Sequence, residues 1–427
     1  MHALVEQLRR SATAQVALGN AAGAGLGLLL LLVLSRSLGV TGYGQIAPVL
    51  TMIDLGQLLI DTLLAAGVVT VASRRMTLQD ADDALYTGLL LRLAGGLIYA
   101  AILVLAAEWL SRKMLPDLPL AVWMMRSAGI AGGFLAVQSA LIGISQITNR
   151  FHSVAISSSY KNLCRLGAAL LCLGLGVRDP ALLGIALAVS GLVALAATMV
   201  TCRGRFGSGR FSPQIAHEML AINKWMVLAS VSIVASRVDI MLLSAFSTPD
   251  QVAYYAASLQ LCVAIGILSQ AIVTTQLPHV SRLEERDEMR RYAVTWVKRA
   301  PWSLLAVAVF PFVSPWLLSG LMGGDFRPGH RVFDLLFASS MLTLVMNPLL
   351  LTLFPLGSAR LFGLIALLQV LGKWAIAWVV ILPYGATGLA GADVLTKLTA
   401  AGAILWFVFH ALGKGSAPAD PAQARDS

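Results

Sequence analysis

The chain has 427 residues, of which 58% are hydrophobic and only 12% charged, and its mean hydropathy is +0.79. Soluble domains carry roughly 25% charged residues, so a water-soluble enzyme or binding module is excluded and the chain reads as a series of membrane spans. The net charge of +10 does not point to nucleic acid, because the basic residues sit in short connections between apolar runs and not along a stripe with exposed aromatics.

A transmembrane helix needs about 20 apolar residues. Runs of that kind cover 11–34, 43–72, 84–107, 120–147, 154–176 and 180–201, then 219–246, 251–277, 299–321, 331–354, 359–382 and 385–410. The first ten residues include Glu6, Arg9 and Arg10. They read as a short amphipathic helix and not as a cleavable signal peptide. Two connections are polar: 202–218, with Arg203, Arg205 and Arg210, and 279–298, with Arg282, Glu284, Glu285, Arg286, Asp287, Glu288, Arg290 and Arg291. The tail 413–427 is rich in Pro, Ala and Asp and is expected to be a disordered cytoplasmic segment. The predicted fold is all-α and polytopic, with about twelve transmembrane helices. The midpoint connection divides it into residues 1–210 and 211–412.

Basic residues test this count. With the N-terminus in the cytoplasm, twenty of the 31 Lys and Arg, Lys161 and Arg165 among them, fall on the cytoplasmic side and seven on the outer side. Four lie inside spans: Arg92, Arg237, Lys373 and Lys397. Such a bias predicts both termini inside. Similar turns, 34–47 after the first span and 243–256 after the seventh, suggest a parallel repeat with a substrate site between the halves.

No connection is long enough to form a catalytic domain, and Walker A, HExxH and GxSxG patterns are absent. The four cysteines form no CxxC pair, so neither a disulfide nor a metal site is predicted. The chain is expected not to be an enzyme and to need no cofactor, with Na⁺ or H⁺ as a candidate coupling ion.

Several local patterns resemble one family. Ser35-Arg36-Ser37-Leu38-Gly39-Val40-Thr41-Gly42-Tyr43-Gly44 resembles its aRlLGpedyGl turn, with Thr41 in place of the usual acidic residue. Ser236-Arg237-Val238-Asp239-Ile240-Met241-Leu242-Leu243 resembles its srlDrlll element, and Ala253-Tyr254-Tyr255-Ala256 its GlYsvA element. Leu277 to Leu283 resembles lfPalSrl, and Pro383 to Ala392 resembles ipryGaiGaAia. The chain thus resembles polysaccharide flippases of the multidrug/oligosaccharidyl-lipid/polysaccharide exporter (MOP) superfamily. That resemblance implies two six-helix bundles arranged as a V. It implies translocation of an undecaprenyl-diphosphate-linked oligosaccharide, of O-antigen or exopolysaccharide type, across a bacterial inner membrane by alternating access. It also implies the bilayer and other polysaccharide-assembly proteins, such as a polymerase, as partners, and a monomer. A drug or metabolite exporter of the same superfamily is the alternative, followed by an integral-membrane polysaccharide-assembly enzyme.

Charges inside spans cost at least about 2.5 to 3.5 kcal/mol each by insertion scales, so they face a cavity or a partner. Arg237, Lys373, Lys397 and Arg92 are therefore candidate substrate-binding residues for an anionic head group. Asp54, Asp61, Asp239 and Asp393 are candidates for ion coupling. Asp54, Gln57 and Asp61 share a helix face, whereas Arg237 and Asp239, two apart, do not. Asp393 and Lys397 stand at i,i+4 with the acid first, which also suits a self-neutralised pair. Pairing of Arg92 or Arg237 with the carboxylates of the second span is the plainer alternative for those residues.

Overall fold

A computed structural model describes residues 12–74, 78–148, 150–202, 209–280, 283, 286–352 and 359–413. The predicted amphipathic start, the tail beyond residue 413, and Arg203, Arg205 and Arg282 lie outside the described residues. Those described are almost entirely helical, and none is in a strand.

The helices are α1 (Ala12–Arg74), α2 (Leu78–Met114), α3 (Ala121–Ile147), α4 (Phe151–Gly174), α5 (Pro180–Thr201) and α6 (Pro213–Phe246). After these come α7 (Pro249–Val280), α8 (Arg286–Val297), α9 (Ala300–Met322), a 3₁₀ turn (Gly324–Gly329), α10 (His330–Leu351) and α11 (Ala359–Gly413). At 63 residues α1 would measure roughly 95 Å if straight, about three times the hydrocarbon core. It is not straight. Gly39 has φ 69° and ψ −170°, a conformation that only glycine adopts without strain, and the chain folds back there. Both limbs consequently line one cavity. The 55-residue α11 breaks in the same way at Gly385, φ 53° and ψ −132°.

Among the described residues eight helical stretches are long and apolar enough to cross a membrane. Two of these are the two-limbed α1 and α11, so they supply four spans. Outside the eight stand α4 and α6, both of spanning length, and both carry charge mid-helix: Lys161 and Arg165 on α4, Arg237 and Asp239 on α6. Together these give the predicted twelve. Amphipathic α8 is the added element.

The two halves share one core at the end of the bundle that carries Gly39 and Gly385. Leu34, Val40, Tyr43 and Ile46 of the first half pack there with Leu243, Val252, Tyr255, Met322, Phe326 and Leu389 of the second. Polar contacts tie the same end. Arg36 donates from Nε to the Leu321 carbonyl (2.8 Å) and from Nη2 to the Gly320 carbonyl (2.7 Å). A cation on the last carbonyls of α9 is favourable for their partial negative charge. Thr41 donates to Asp250 (2.7 Å). At the opposite end the cores are separate. One holds Val68, Val71, Ala84, Leu85 and Ile144 with the start of α6, Ile215 and Met219. The other holds Met289, Ala293, Met346, Leu349, Ala400, Ile404 and Val408. The halves thus share a core at one end; at the other they form two separate clusters, the first half's joined by the start of α6, which is the expected V.

Gly44 sits at the joined end, where a Cβ would fall 1.9 Å from the Pro249 carbonyl oxygen. No side chain fits without moving the halves apart. Gly44→Ala is therefore expected to open this end. Spin labels at the exposed positions Asp117 and Arg327 would report it as a longer distance in a pulsed resonance measurement. An unchanged distance distribution would contradict the account of this closure.

Candidate functional site

Between the halves lies a cavity of about 200 Å³. Its walls come from both limbs of α1, from α4, and from α6 and α7 of the second half. Helical periodicity sets what faces it. On α1, Thr51 and Asp54 are three apart and share a face; on α4, Lys161 and Arg165 are four apart and do the same. Arg165 donates from Nη2 to Asp54 Oδ1 (2.9 Å), and Lys161 Nζ lies 3.4 Å from the same oxygen. Lys161 also donates to Gln57 Oε1 (3.2 Å). Asn162 donates to the Gly23 carbonyl (2.6 Å), tying α4 to the first limb of α1.

Arg237 completes the lining from the α6 wall. Among the described residues no carboxylate lies within ion-pair distance of it. Three cations, Lys161, Arg165 and Arg237, thus face one carboxylate, Asp54, and the lining carries a net charge of +2. In a medium of low dielectric such an excess is unfavourable until an anion enters.

Four of the other predicted residues form a separate network inside the second half. Lys373 Nζ lies 2.5 Å from Asp239 Oδ2 and 2.7 Å from Asp393 Oδ1. Lys397 Nζ lies 3.1 Å from Asp393 Oδ2 and donates to Ser339 Oγ (2.6 Å). Ser339 in turn donates to Asp393, and Tyr255 donates to Asp239 (3.1 Å). Two lysines and two carboxylates cancel. Asp239 is 0% exposed and Lys373 7%, and neither lines the cavity.

Asp61 and Arg92 form a third group. Arg92 Nη2 lies 3.7 Å from Asp61 Oδ1, and Ser139 of α3 donates to the same carboxylate. This pair ties α1, α2 and α3 together within the first half, two helical turns from Asp54.

The eight predicted residues therefore fall into three places. Arg237 and Asp54 face the cavity; Asp239, Lys373, Asp393 and Lys397 form the neutral network; Asp61 and Arg92 form the pair within the first half. The sequence reading places Lys161 and Arg165 with the cytoplasmic basic residues, whereas in the structure they line the cavity. Both lie inside the predicted fifth span, ten and fourteen residues past Phe151, and that position was the available signal. Among the described residues no group of three or more His, Cys, Asp or Glu is placed to hold a metal ion.

The pattern of one protein family, described as polysaccharide biosynthesis protein, matches residues 12–284. The chain belongs to the polysaccharide biosynthesis protein family. No curated protein matches its sequence. Among solved structures, this polysaccharide biosynthesis family member is similar to the inward-facing conformation of a multidrug resistance MATE family transporter of the MOP superfamily. The TM-score is 0.76 at 14% identity, over 92% of this chain and 96% of that one. It is similar to the lipid II flippase MurJ in an inward closed conformation, with a TM-score of 0.74 at 13% identity, over 93% and 89%. An outward-facing conformation of a MATE family transporter gives a TM-score of 0.57 at 14% identity, over 96% and 99%. The fold is that of MOP-superfamily membrane transporters and flippases, as the sequence motifs implied.

Proposed function

We propose that this chain is a flippase that carries an undecaprenyl-diphosphate-linked oligosaccharide across a bacterial inner membrane by alternating access. The single observation that carries this reading is the net-positive cavity between the halves. A lipid-linked sugar diphosphate must move its charged head through hydrocarbon. Lys161, Arg165 and Arg237 offer donors and charge that replace the water around the two phosphates. Asp54 holds Arg165 and Lys161 when the site is empty, and the incoming diphosphate competes with it for them. A carrier of cationic drugs is served worse by this lining, since like charges repel.

Orientation follows from the basic residues. Lys161 and Arg165 leave the cytoplasmic tally, yet the excess on that side remains, so the Gly39 end is assigned to the outer face. The separated cores then face the cytoplasm, where the lipid-linked sugar is made, and the state is inward-facing. The higher TM-score against an inward-facing than an outward-facing transporter supports that assignment as a likeness of shape.

Deleting the gene tests the substrate. The expected result is loss of surface polysaccharide, restored by the wild-type chain. Intact polysaccharide together with new drug sensitivity would sink the flippase reading in favour of an exporter.

A further inference from the structure

Amphipathic α8 lies at the end of the bundle opposite Gly39, between the last turn of α7 and the first of α9. Its apolar face is already covered: Met289 and Ala293 pack on Met346 and Leu349 of α10 and Ala400 and Ile404 of α11, with Trp296 and Val297 against the same cluster. The other face borders an open pocket of about 390 Å³, separate from the central cavity. Arg291 and Arg299 stand in its wall with Gln276, Tyr292 and Trp296.

Local geometry fixes where both side chains sit in this wall. The joint between α8 and α9 is tight: the Lys298 N–H bonds the Val294 carbonyl (2.9 Å) and the Arg299 N–H the Trp296 carbonyl (3.0 Å). Arg299 is thereby folded back over the Trp296 ring, 4.6 Å from its centroid, a cation–π contact that holds the side chain in place. Arg291 uses Nε on the Asp287 carbonyl (3.4 Å), and no bond to either of its Nη atoms is found among the described residues. The pocket lies beside the N-terminal end of α9, whose dipole adds positive potential. One carboxylate, Glu288, is in the wall, and Asp287 is a second on α8; the exposed Arg290 on α8 and Lys298 at the joint outweigh them together with Arg291 and Arg299.

Directly beyond Arg299 the surface becomes apolar. Trp302, Leu305, Val309, Phe312 and Trp316 are exposed and recur at helical spacing along α9. A polar, cationic pocket that opens onto such a stripe fits a molecule with a phosphate at one end and acyl chains at the other. We infer that the α8 pocket binds the phosphate of an anionic phospholipid, with its acyl chains running along the exposed face of α9. This site is independent of the central cavity and of the substrate proposed for it.

Native mass spectrometry of the full chain, titrated with phosphatidylglycerol, phosphatidylcholine or free glycerol phosphate, tests it. The wild type is expected to retain phosphatidylglycerol in preference to phosphatidylcholine. R291A/R299A should bind phosphatidylglycerol roughly 30-fold more weakly, a factor of about five to six for each guanidinium lost. R291K/R299K, which keeps the charge but not the bidentate fork, should fall between the two and controls for folding. Equal retention of phosphatidylcholine by the wild type would overturn the proposal, as would unchanged phosphatidylglycerol binding in R291A/R299A. Glycerol phosphate bound as tightly as the lipid would assign the pocket to a free anion and also overturn it.

Discussion

Replacing Arg237 by alanine is expected to abolish complementation of a deletion strain while leaving the amount of protein in the membrane unchanged. Arg237 faces the cavity and no described carboxylate pairs with it, so its removal leaves no buried partner orphaned. What it removes is one of three cations set against a single carboxylate. A hydrogen bond to a charged group contributes about 1.5–3 kcal/mol, so transport should fall by roughly 10- to 150-fold. Arg237→Lys keeps the charge and should retain part of the activity. Immunoblots of membranes beside the polysaccharide phenotype check both halves of the prediction. Full activity in the alanine variant would remove Arg237 from the substrate path.

Lys373→Ala is expected to act by a different route. Lys373 lies between Asp239 and Asp393, and Asp239 is fully buried with Oδ1 unbonded. Without the lysine, Asp239 keeps only the Tyr255 hydroxyl, while Asp393 keeps Lys397. Breaking a buried pair from one side costs about 3–5 kcal/mol, because a buried charge is left uncompensated. Lower abundance and a lower thermal midpoint in detergent are the expected readings. The double variant Asp239→Asn/Lys373→Met removes both charges and should recover most of the lost stability. A Lys373→Ala protein as stable as wild type, yet inactive, would instead give this lysine a role in transport.

These two lysine and arginine positions show where sequence reasoning reaches its limit. Both were legible as charges inside spans. Their difference was not, because it depends on partners 134 residues away for Lys373 and Asp239. The Asp393–Lys397 pair was legible since i,i+4 spacing is local. Arg237 and Asp239 were expected on different faces, and they do point to different places, cavity and network. Hydrophobic runs carried most of the fold, since every backbone group in lipid must be satisfied within a helix. The turns at Gly39 and Gly385 fell where the family-like motifs lie. Sequence counting puts Lys161 and Arg165 among the cytoplasmic charges, although ten and fourteen residues past Phe151 is too deep in α4 for its end. The extra helix α8 was visible only as a polar connection, because its apolar residues are too few for a span and acquire meaning by docking on α10 and α11.

Reconstitution tests the central claim most directly. The wild-type chain and Arg237→Ala would be placed in vesicles containing an undecaprenyl-diphosphate-linked oligosaccharide in the inner leaflet. Arrival of sugar in the outer leaflet would be followed with a membrane-impermeant lectin. A net-positive cavity that carries a diphosphate predicts steady arrival with the wild type and almost none with Arg237→Ala. No arrival with the wild type, in vesicles that transport a cationic drug, would contradict it.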